Sequence, residues 1–328
     1  MEQFKNSSIL ITGGTGSIGK QLVSQLLKQT TVRRIAVFSR DELKQLKMRE
    51  NFNNDVRLRW FLGDVRDLQR LKQSMHGIDY VIHAAALKQV DTGEYNPIEF
   101  IKTNILGSQN VVEASIEAGV KKVVALSTDK ASSPINLYGA TKLTADKLFI
   151  SANNYGKSRG TSFSVVRYGN VMASRGSVIP FFQELSAKGQ RLPVTDFRMT
   201  RFWITIDHAA QFILESLSSM KGGELYVPKI PSMKIVDLAK AINKDAEIYE
   251  IGVRPGEKIH EEMISEDDSK RTFILKDRFV ITPVSSEWGY ELPRGVQFME
   301  EGLAYRSNTN TDWLTEREIR EFISRSDN

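Results

Sequence analysis

The stretch Ile9–Gly19 reads Ile-Leu-Ile-Thr-Gly-Gly-Thr-Gly-Ser-Ile-Gly, an apolar run that leads directly into a glycine-rich turn. Its glycines include a Gly-x-x-Gly-x-x-Gly spacing, and residues 17–29 carry apolar side chains at helical spacing. Glycine allows a tight turn and lets the backbone approach a pyrophosphate, whose charge is met by the helix N-terminus. We therefore predict a dinucleotide-binding strand–turn–helix unit whose cofactor contacts are Gly13, Thr15, Gly16, Ser17, Ile18 and Gly19.

The alternation of short β-branched runs with helical patterns continues outward from this unit. Further strands are predicted at 33–38, 58–62, 80–84 and 122–126, separated by helical stretches. Such alternation favours an α/β fold with a doubly wound parallel sheet of the Rossmann type. After Tyr168, glycine and proline punctuate shorter elements. We predict a dinucleotide-binding domain over 1–168 and a mainly substrate-binding domain over 169–328, interleaved with the last strands of the sheet and ending in a helix over 313–323.

The composition is that of an ordinary globular enzyme. The 328 residues include no cysteine, which excludes disulfides, a thiolate nucleophile and a cysteine-ligated metal. No apolar run approaches the roughly 20 residues of a membrane span, and the N-terminus has no apolar signal-peptide core. The net charge of +5 is spread over mixed basic and acidic residues. We expect a soluble cytoplasmic protein that binds small anionic ligands, with no metal site, no nucleic acid and no membrane as partner.

The end of the predicted second strand bears on the choice between NAD and NADP. NAD sites usually carry an acid there, whereas this chain has Ser39 and Arg40, with Asp41 next and Lys44 nearby. A guanidinium pairs with a 2′-phosphate in bidentate fashion, so Arg40 favours NADP. Asp41 argues against this choice, and a plain surface role is the alternative for Arg40. Other expected cofactor contacts end the third and fourth strands: Asp64, Val65, Ala84, Ala85 and Ala86.

Tyr138 and Lys142 form a Tyr-x-x-x-Lys pair on a predicted helix. Positions i and i+4 share a helix face, and an ammonium beside a phenol lowers the pKa of the phenol. The phenolate can then take a proton from a sugar hydroxyl while hydride leaves the same carbon. The pair follows a strand that ends Leu126-Ser127-Thr128, at the carboxyl edge where such sheets bind ligands. Thr128 is the candidate to hydrogen-bond the reacting hydroxyl.

Together these motifs resemble the extended short-chain dehydrogenases/reductases that modify nucleotide sugars. A narrower similarity, to the inverting UDP-N-acetylglucosamine 4,6-dehydratases, covers roughly residues 7–283. Those enzymes begin the route to pseudaminic acid and related bacterial sugars. The runs that carry the similarity are Leu126-Ser-Thr-Asp-Lys-Ala-Ser-Ser-Pro-Ile-Asn-Leu-Tyr-Gly-Ala-Thr-Lys142, Ser39-Arg-Asp-Glu-Leu-Lys44, Val165-Val-Arg-Tyr-Gly-Asn170, Met199-Thr-Arg-Phe-Trp-Ile204, Val227-Pro-Lys-Ile-Pro-Ser-Met233 and Arg254-Pro-Gly-Glu-Lys258.

The resemblance implies a dehydration that regenerates its cofactor. Hydride passes from C4 of UDP-N-acetylglucosamine to NADP⁺, with Tyr138 as base and Lys142 tuning it. Lys130 then removes the C5 proton, Asp129 protonates the departing C6 hydroxyl, and hydride returns to C6. The Asp129–Lys130 pair points to inversion at C5, since retaining relatives carry Asp-Glu there; the alternative is a loop ion pair or a helix cap. Lys130 can act as a base only if its pKa is depressed, by burial or by Lys142.

The resemblance also assigns residues to the nucleotide, and it implies a homo-oligomer, either a dimer or a hexamer. Arg201 and Arg254 are expected to clamp the diphosphate, because guanidinium–phosphate pairing supplies charge and geometry. Glu257 is expected to hold the uridine ribose, and Asn170 to contact the diphosphate. The other expected substrate contacts are Lys88 and the segment from Arg175 to Val178, near the uracil.

The chain departs from the family pattern after the fourth strand. Where the family usually reads Ala-Ala-Leu-Lys-His-Val-Pro, residues 85–91 read Ala-Ala-Leu-Lys-Gln-Val-Asp. Gln89 replaces the histidine, Asp91 replaces the proline and adds an acid, and Gly93 adds flexibility. One alternative is therefore a partial reaction that releases a UDP-4-keto-5,6-ene sugar. Two others are a UDP-sugar 4-epimerase, which has no use for Asp129 and Lys130, and a catalytically silent NADP-binding regulatory protein.

Overall fold

The computed structural model describes residues 2–172, 178–285 and 287–326. The strands, in chain order, are β1 Ser8–Thr12, β2 Arg34–Ser39, β3 Leu58–Leu62, β4 Tyr80–His83, β5 Lys122–Leu126, β6 Ser162–Val166, β7 Asn170–Val171, β8 Leu192–Val194, β9 Thr200–Ile204, β10 Leu225–Pro228, β11 Ser232–Lys234, β12 Ile248–Glu250, β13 Glu262–Ile264, β14 Thr272–Ile274, β15 Arg278–Ile281, β16 Gln297–Phe298 and β17 Tyr305–Arg306.

The α-helices, in chain order, are α1 Ser17–Gln29, α2 Glu42–Asn51, α3 Leu68–Met75, α4 Val90–Tyr95, α5 Pro97–Phe100, α6 Gly107–Glu117, α7 Leu137–Ser151, α8 Asn153–Gly156, α9 Val178–Ala187, α10 Ile206–Ser219, α11 Ile235–Ile242, α12 Glu266–Ser269 and α13 Glu316–Ser326. Short 3₁₀ turns occupy Glu2–Phe4, Asp129–Ala131 and Lys157–Arg159, and a π-helical segment, Ile101–Leu106, joins α5 to α6. Among the described residues, no helix has the length and apolar character that crossing a bilayer would require.

Seven parallel strands form one side of a ten-stranded sheet, in the order β3-β2-β1-β4-β5-β6-β10 with β3 at the edge. Thr12 at the end of β1 pairs with Phe38 of β2 on one side and His83 of β4 on the other. Every residue of β1 is buried, as expected of a strand covered by helices on both faces. The chain winds outward from β1 in both directions, which confirms the predicted doubly wound α/β fold and leaves a crevice at the carboxyl ends of β1 and β4.

Residues after 169 contribute both to this sheet and to a second apolar cluster. Strands β15, β14 and β16 extend the sheet in antiparallel fashion beyond β10. Smaller sheets pair β9 with β7 and β11, β8 with β12, and β13 with β17. Phe182, Trp203 and Leu238 belong to a cluster of buried apolar side chains separate from the main core. The division into two domains at residue 168 stays a prediction.

The predicted elements agree with the structure most closely where hydrophobic periodicity is strong. Helix α1 and strands β3 and β5 have the predicted bounds. The last helix begins at Glu316 rather than at 313, because Thr315 caps it through hydrogen bonds with Glu318. Trp313, predicted within the helix, instead lies in a bridge with Ser232 and donates its indole N–H to the Asn310 carbonyl at 2.7 Å.

Candidate active site

A cavity of about 1180 Å³ lies at the carboxyl ends of the central parallel strands. Its walls include the residues at or after the ends of β1, β2, β4 and β5, namely Gly13, Ser39, Ala84 and Ser127. This is the edge where a doubly wound sheet binds ligands. Pockets for single small ligands usually measure roughly 300–1,000 Å³, so this cavity has room for more than one ligand.

The cavity brings together most of the residues that the sequence singled out. Arg175 lies outside the described residues. Gly19 is not among the lining residues; a Cβ at this position would lie 2.4 Å from the Gly14 carbonyl oxygen, so Gly19 packs α1 onto the turn. The predicted site residues that line the cavity are Gly13, Thr15, Gly16, Ser17, Ile18, Ser39, Arg40, Lys44, Asp64, Val65, Ala84, Ala85, Ala86, Lys88, Thr128, Asp129, Lys130, Tyr138, Lys142, Asn170, Val178, Arg201, Arg254 and Glu257.

The glycine turn leaves the first turn of α1 open to an anion. Gly13 adopts φ +65°, and a Cβ there would lie 2.8 Å from the Ala85 nitrogen, so only glycine lets the end of β4 lie against the turn. Gly16 caps α1 without a side-chain hydrogen bond. The N–H groups of the first helical turn have no partners within the helix and carry its positive dipole. The arrangement fits a pyrophosphate.

The end of β2 presents two cations to the cavity. Arg40 is 55% exposed at its side chain and lies 3.5 Å from Asp64, measured from Nη1 to Oδ2. Asp41 caps α2, accepting from the Lys44 backbone nitrogen at 2.9 Å and pairing with the Lys44 ammonium at 2.7 Å. These hydrogen bonds hold the pKa of Asp41 below its usual value. Asp41 is thus occupied in capping, which weakens the objection that it raised against NADP.

A buried 3₁₀ turn after β5 carries the candidate acid and base. The Asp129 side chain is 2% exposed; its Oδ1 accepts from the Thr128 hydroxyl at 2.8 Å and from the Lys130 ammonium at 3.2 Å. Helix α7 lies directly against this turn. The approach is so close that a Cβ at Gly139 would lie only 2.1 Å from the Lys130 carbonyl oxygen, so only glycine fits there. The close approach keeps the turn beside Tyr138.

Two pKa expectations for this cluster are wrong. Burial raises the pKa of Tyr138 to about 12, and the cation that counteracts burial is Lys130 rather than Lys142. Lys142 is buried, which lowers its own pKa, and its ammonium donates to the Leu126 carbonyl at 2.6 Å. Burial also lowers the pKa of Lys130, but the carboxylates of Asp129 and Glu261 outweigh it, so the pKa is raised rather than depressed.

Glu261 is a site residue that the sequence analysis missed. Its side chain is 2% exposed, and its Oε1 lies 3.1 Å from the Lys130 ammonium and 3.6 Å from Nε of Arg201. It follows Lys258 by three positions, just beyond the motif that ended at that lysine. Only the folded chain brings it to Lys130, because the two residues lie far apart in sequence.

Four of the residues expected at the nucleotide line the cavity: Asn170, Arg201, Arg254 and Glu257. Arg201 is fixed by hydrogen bonds to the carbonyls of Thr200 at 2.8 Å and Ile259 at 3.0 Å, and its Nη2 lies 3.5 Å from Glu257. Arg254 is more exposed, at 57% of its side chain. The Asn170 Oδ1 atom is buried and has no hydrogen-bond partner among the described residues. These groups offer two guanidinium groups, a carboxylate and an amide to a ligand.

Asn104 of the π-helical segment is another residue that sequence reasoning missed. Its amide accepts from the Leu87 nitrogen at 2.9 Å and donates to the Leu87 carbonyl at 2.9 Å and the Thr141 hydroxyl at 3.0 Å. It therefore fastens the segment after β4 to helix α7. Short π-helical segments often occur at functional sites, and this one is the local feature that could have drawn attention to Asn104.

The segment that departs from the family pattern forms helix α4 rather than a flexible loop. Gly93 is buried in it, and a Cβ there would lie 3.1 Å from the Phe100 ring, so its glycine serves close packing and not the expected flexibility. Glu94 accepts from the Leu137 nitrogen at 2.7 Å, which ties α4 to the start of α7. Gln89 and Asp91 line the cavity.

Comparison with known proteins identifies close relatives over the whole chain. Residues 9–283 match the family model described as polysaccharide biosynthesis protein. A UDP-N-acetylglucosamine 4,6-dehydratase (inverting) of Campylobacter jejuni is 49% identical over 99% of both chains. A UDP-glucose 4-epimerase of Rickettsia rickettsii is 40% identical over 98% of this chain and 96% of its own. The X-ray structure of Pen from Bacillus thuringiensis superposes with a TM-score of 0.90, at 40% identity over 99% of both chains. The resemblance predicted from the motifs is confirmed.

Proposed function

The chain belongs to the polysaccharide biosynthesis protein family, and from that premise we propose that it dehydrates UDP-N-acetylglucosamine with NADP as its regenerated cofactor. The product is a UDP-4-keto-6-deoxy-N-acetylhexosamine with inverted configuration at C5. One observation carries the proposal: Asp129, Lys130 and Tyr138 line the same cavity as the glycine turn. An acid, an amine and a phenol therefore face one space with the dinucleotide site. The 49% identity to a protein named as an inverting 4,6-dehydratase supports the same activity.

In the first step, we assign to Tyr138 the removal of the proton from the C4 hydroxyl. The bound dinucleotide supplies a nicotinamide that takes hydride from C4 and later returns it to C6. Burial raises the pKa of Tyr138 to about 12, so the phenol is a strong base once ionised. The Lys130 ammonium and the Thr128 hydroxyl both act to lower that pKa and so assist ionisation. Lys142 anchors α7 to the end of β5 through the Leu126 carbonyl.

In the second step, Lys130 takes the C5 proton and Asp129 protonates the departing C6 hydroxyl. C5 regains a proton when hydride is added at C6, so the net loss is one water molecule. Lys130 must first be neutral, although the pKa of its ammonium is raised by Asp129 and Glu261. Transfer of one proton across the 3.2 Å contact from Nζ to the Asp129 Oδ1 yields a neutral amine and a carboxylic acid together. Burial and the charge of Glu261 raise the pKa of Asp129, which favours that transfer. The ion pair is thus the resting form of the acid and base.

We assign the cofactor and nucleotide ends by charge. Arg40 and Lys44 would hold the 2′-phosphate of NADP, and Asp64, Val65 and Ala84–Ala86 would line the adenine and ribose path. Arg201 and Arg254 would hold the diphosphate. The remaining substrate contacts in this proposal are Glu257 at the ribose, Asn170, Lys88 and Val178, all on residues 169–328 except Lys88. This assignment makes residues 1–168 the NADP-binding part and the rest mainly the nucleotide-sugar part.

A UDP-sugar 4-epimerase is the second candidate, because relatives of that name are 40% identical to this chain. It shares the dinucleotide site and the Tyr138–Lys142 pair. It needs no acid and base at C5 and C6, whereas Asp129 and Lys130 both face the cavity. A partial reaction that stops at the 4-keto-5,6-ene would leave the hydride on the cofactor.

The test is to incubate the purified protein with NADP⁺ and UDP-N-acetylglucosamine and to record the mass and the proton NMR spectrum of the product. We expect loss of one water molecule and a C6 methyl doublet. An isomer of unchanged mass would indicate the epimerase, and a product with a 5,6-ene and no methyl doublet would indicate the partial reaction. An unreacted substrate with bound cofactor would indicate a regulatory protein and contradict the proposal.

Two variants assign the half-reactions. Tyr138→Phe removes the first base and should slow turnover by about 10²–10⁴-fold. Lys130→Ala should abolish water loss but still form reduced cofactor, seen as near-ultraviolet absorbance in a single turnover, although more slowly, because the ammonium that lowers the pKa of Tyr138 is gone. Tyr155→Phe and Lys147→Ala are matched controls at exposed positions and should behave as the parent. Equal turnover in all four variants would refute these assignments.

A further inference from the structure

The Lys130 ammonium lies between two carboxylates rather than beside one. Its Nζ is 3.2 Å from Oδ1 of Asp129 and 3.1 Å from Oε1 of Glu261, and both acidic side chains are 2% exposed. Interactions between charges are stronger where water is excluded, so neither contact is an ordinary surface ion pair. The dehydration proposed above assigns work to Asp129 and Lys130 but none to Glu261.

Glu261 is held firmly by its backbone. Its N–H donates to the Ser307 hydroxyl at 2.9 Å, and its carbonyl accepts from the Ser307 N–H at 2.8 Å. Strand β13 begins at the next residue. The carboxylate therefore extends from a backbone fixed at the sheet β13–β17 toward the turn that carries Lys130.

Each of the two carboxylates keeps one oxygen without a hydrogen bond from the described residues. The Asp129 Oδ2 and the Glu261 Oε2 are buried and make no hydrogen bond to any described residue. Buried polar atoms without partners are rare and costly, and a catalytic role is one of the explanations for them. One lysine and two buried acids also cannot all be ionised without cost, because the acids repel each other.

The charge distribution separates the roles of the two acids. Burial opposes ionisation of Glu261, but Lys130 and Arg201 outweigh it and hold the pKa of Glu261 below its usual value. Burial and then the Glu261 charge raise the pKa of Asp129. Glu261 is therefore the fixed anion of the cluster, and Asp129 is the acid that exchanges a proton.

We propose that Glu261 is a positioning residue for the C5–C6 elimination: its carboxylate holds Lys130 against Asp129, and its charge sets the pH range in which the pair carries the one proton that it needs. This inference rests on the dehydration proposed above. The pair is active as a neutral amine and a carboxylic acid. With a second proton, Lys130 is an ammonium and cannot act as the base. With no proton, Asp129 is a carboxylate and cannot act as the acid, so the pair is inactive in both states.

Loss of the Glu261 charge has a predictable sign. A negative charge favours protons on both neighbours, so it raises both apparent pKa values of the Lys130–Asp129 pair. Removal of the charge must therefore lower both values. The two limbs of the bell-shaped pH profile of kcat/KM should then both move to lower pH. A purely structural role would reduce the rate without moving both limbs in one direction. The other ionisable groups that face the cluster keep their identity in the variants: Arg201, Lys88, Lys258 and Tyr138. Two of them also interact with the Glu261 charge, since it acts to raise the pKa of Lys258 and pairs with Arg201 at 3.6 Å, so the isotope effect is needed to identify the limbs that belong to the elimination.

The test compares the parent with Glu261→Gln and Glu261→Asp, using substrate with hydrogen or deuterium at C5, so that the isotope effect identifies the limbs of the elimination step. We expect Glu261→Gln to shift both limbs down by about one pH unit or more. Glu261→Asp keeps the charge but withdraws it by one methylene, and it should shift both limbs in the same direction by less. Glu266→Gln, which removes an exposed carboxylate paired with Arg306, is the control and should leave the profile unchanged.

The outcomes separate this inference from the proposed function. If the parent releases water but the limbs of Glu261→Gln stay in place, the inference is overturned and the dehydratase assignment stands. If Glu261→Gln does not fold, the graded shift in Glu261→Asp decides the question, and an unmoved profile in that variant overturns the inference. If the parent releases no water, the proposed function itself fails.

Discussion

Arg40 is the residue on which the choice of NADP depends. Its guanidinium is exposed at the cavity wall, whereas the neighbouring Asp41 is occupied by capping α2. A charge-assisted hydrogen bond contributes about 1.5–3 kcal/mol, so Arg40→Ala should weaken NADP⁺ binding about 10–100-fold. Binding of NAD⁺, which lacks the 2′-phosphate, should change little.

The measurement is titration calorimetry with both dinucleotides. Arg49→Ala is the control, since Arg49 lies in the last turn of helix α2, which follows Arg40, and its side chain donates a hydrogen bond to Asn54 at 3.1 Å. Equal weakening of NAD⁺ and NADP⁺ by Arg40→Ala would mean that the guanidinium does not recognise the 2′-phosphate.

His83 gives the fold a pH-dependent stability. It is 1% exposed between Thr12 and Ser108, and burial followed by the charge of Lys142 lowers its pKa to about 3. The folded protein therefore keeps His83 neutral while the unfolded chain binds a proton below its ordinary pKa of about 6.5. The unfolding free energy therefore falls as the pH falls below about 6.5, by about 1.4 kcal/mol per pH unit, until the pH approaches the folded pKa of His83.

Urea unfolding at several pH values between about 5 and 6.5 tests this dependence. His83→Gln should show a flatter dependence of the unfolding free energy on pH than the parent, whatever its absolute stability. His76→Gln, at an exposed histidine, should keep the parental slope. Identical slopes for all three proteins would contradict the assignment to His83.

At the scale of elements, the contact between α7 and the turn at Asp129–Ala131 positions the site. A Cβ at Gly139 would lie 2.1 Å from the Lys130 carbonyl oxygen, and backbone cannot yield as a flexible side chain does. Gly139→Ala should push the turn away from Tyr138 and reduce kcat by about 10²-fold, the usual effect of a displacement near 1 Å. Thr144→Ala, exposed on the same helix, should leave kcat unchanged. Steady-state kinetics, with circular dichroism to confirm folding, decide between these results, and a parental kcat in Gly139→Ala would contradict the positioning role.

The parts of the site that could be predicted are those that depend on residues close together in sequence. The glycine turn and the Tyr138–Lys142 pair are local patterns, so the sequence places them correctly on α1 and α7. The raised pKa of Lys130 could not be predicted, because Glu261 reaches it only through long-range packing. Helix α4 was also missed, since its short pattern with a glycine gives no periodicity to read.

At the scale of the whole molecule, the buried Arg167 side chain joins the main sheet to the later part of the chain. Arg167 after β6 lies 3.2 Å from Asp146 of α7, and it also donates to the Met263 carbonyl of β13 at 2.9 Å. Both side chains are 3% exposed. Asp146→Asn removes one charge and leaves Arg167 unpaired, which should lower the unfolding free energy by about 3–5 kcal/mol.

Equilibrium denaturation in urea measures this loss. The control is Lys188→Gln, which breaks an exposed pair with Glu184 at the end of α9 and should change stability little. An equally small effect of Asp146→Asn would show that this buried pair does not stabilise the fold.

The central claim is that one cavity both removes hydride from C4 and eliminates water across C5 and C6 of the same sugar. The most direct measurement uses UDP-N-acetylglucosamine with deuterium at C4 and follows the label by NMR. We predict that the deuterium appears at C6 of a product that has lost one water molecule. Deuterium found only at C4 of an isomer of unchanged mass would contradict the account.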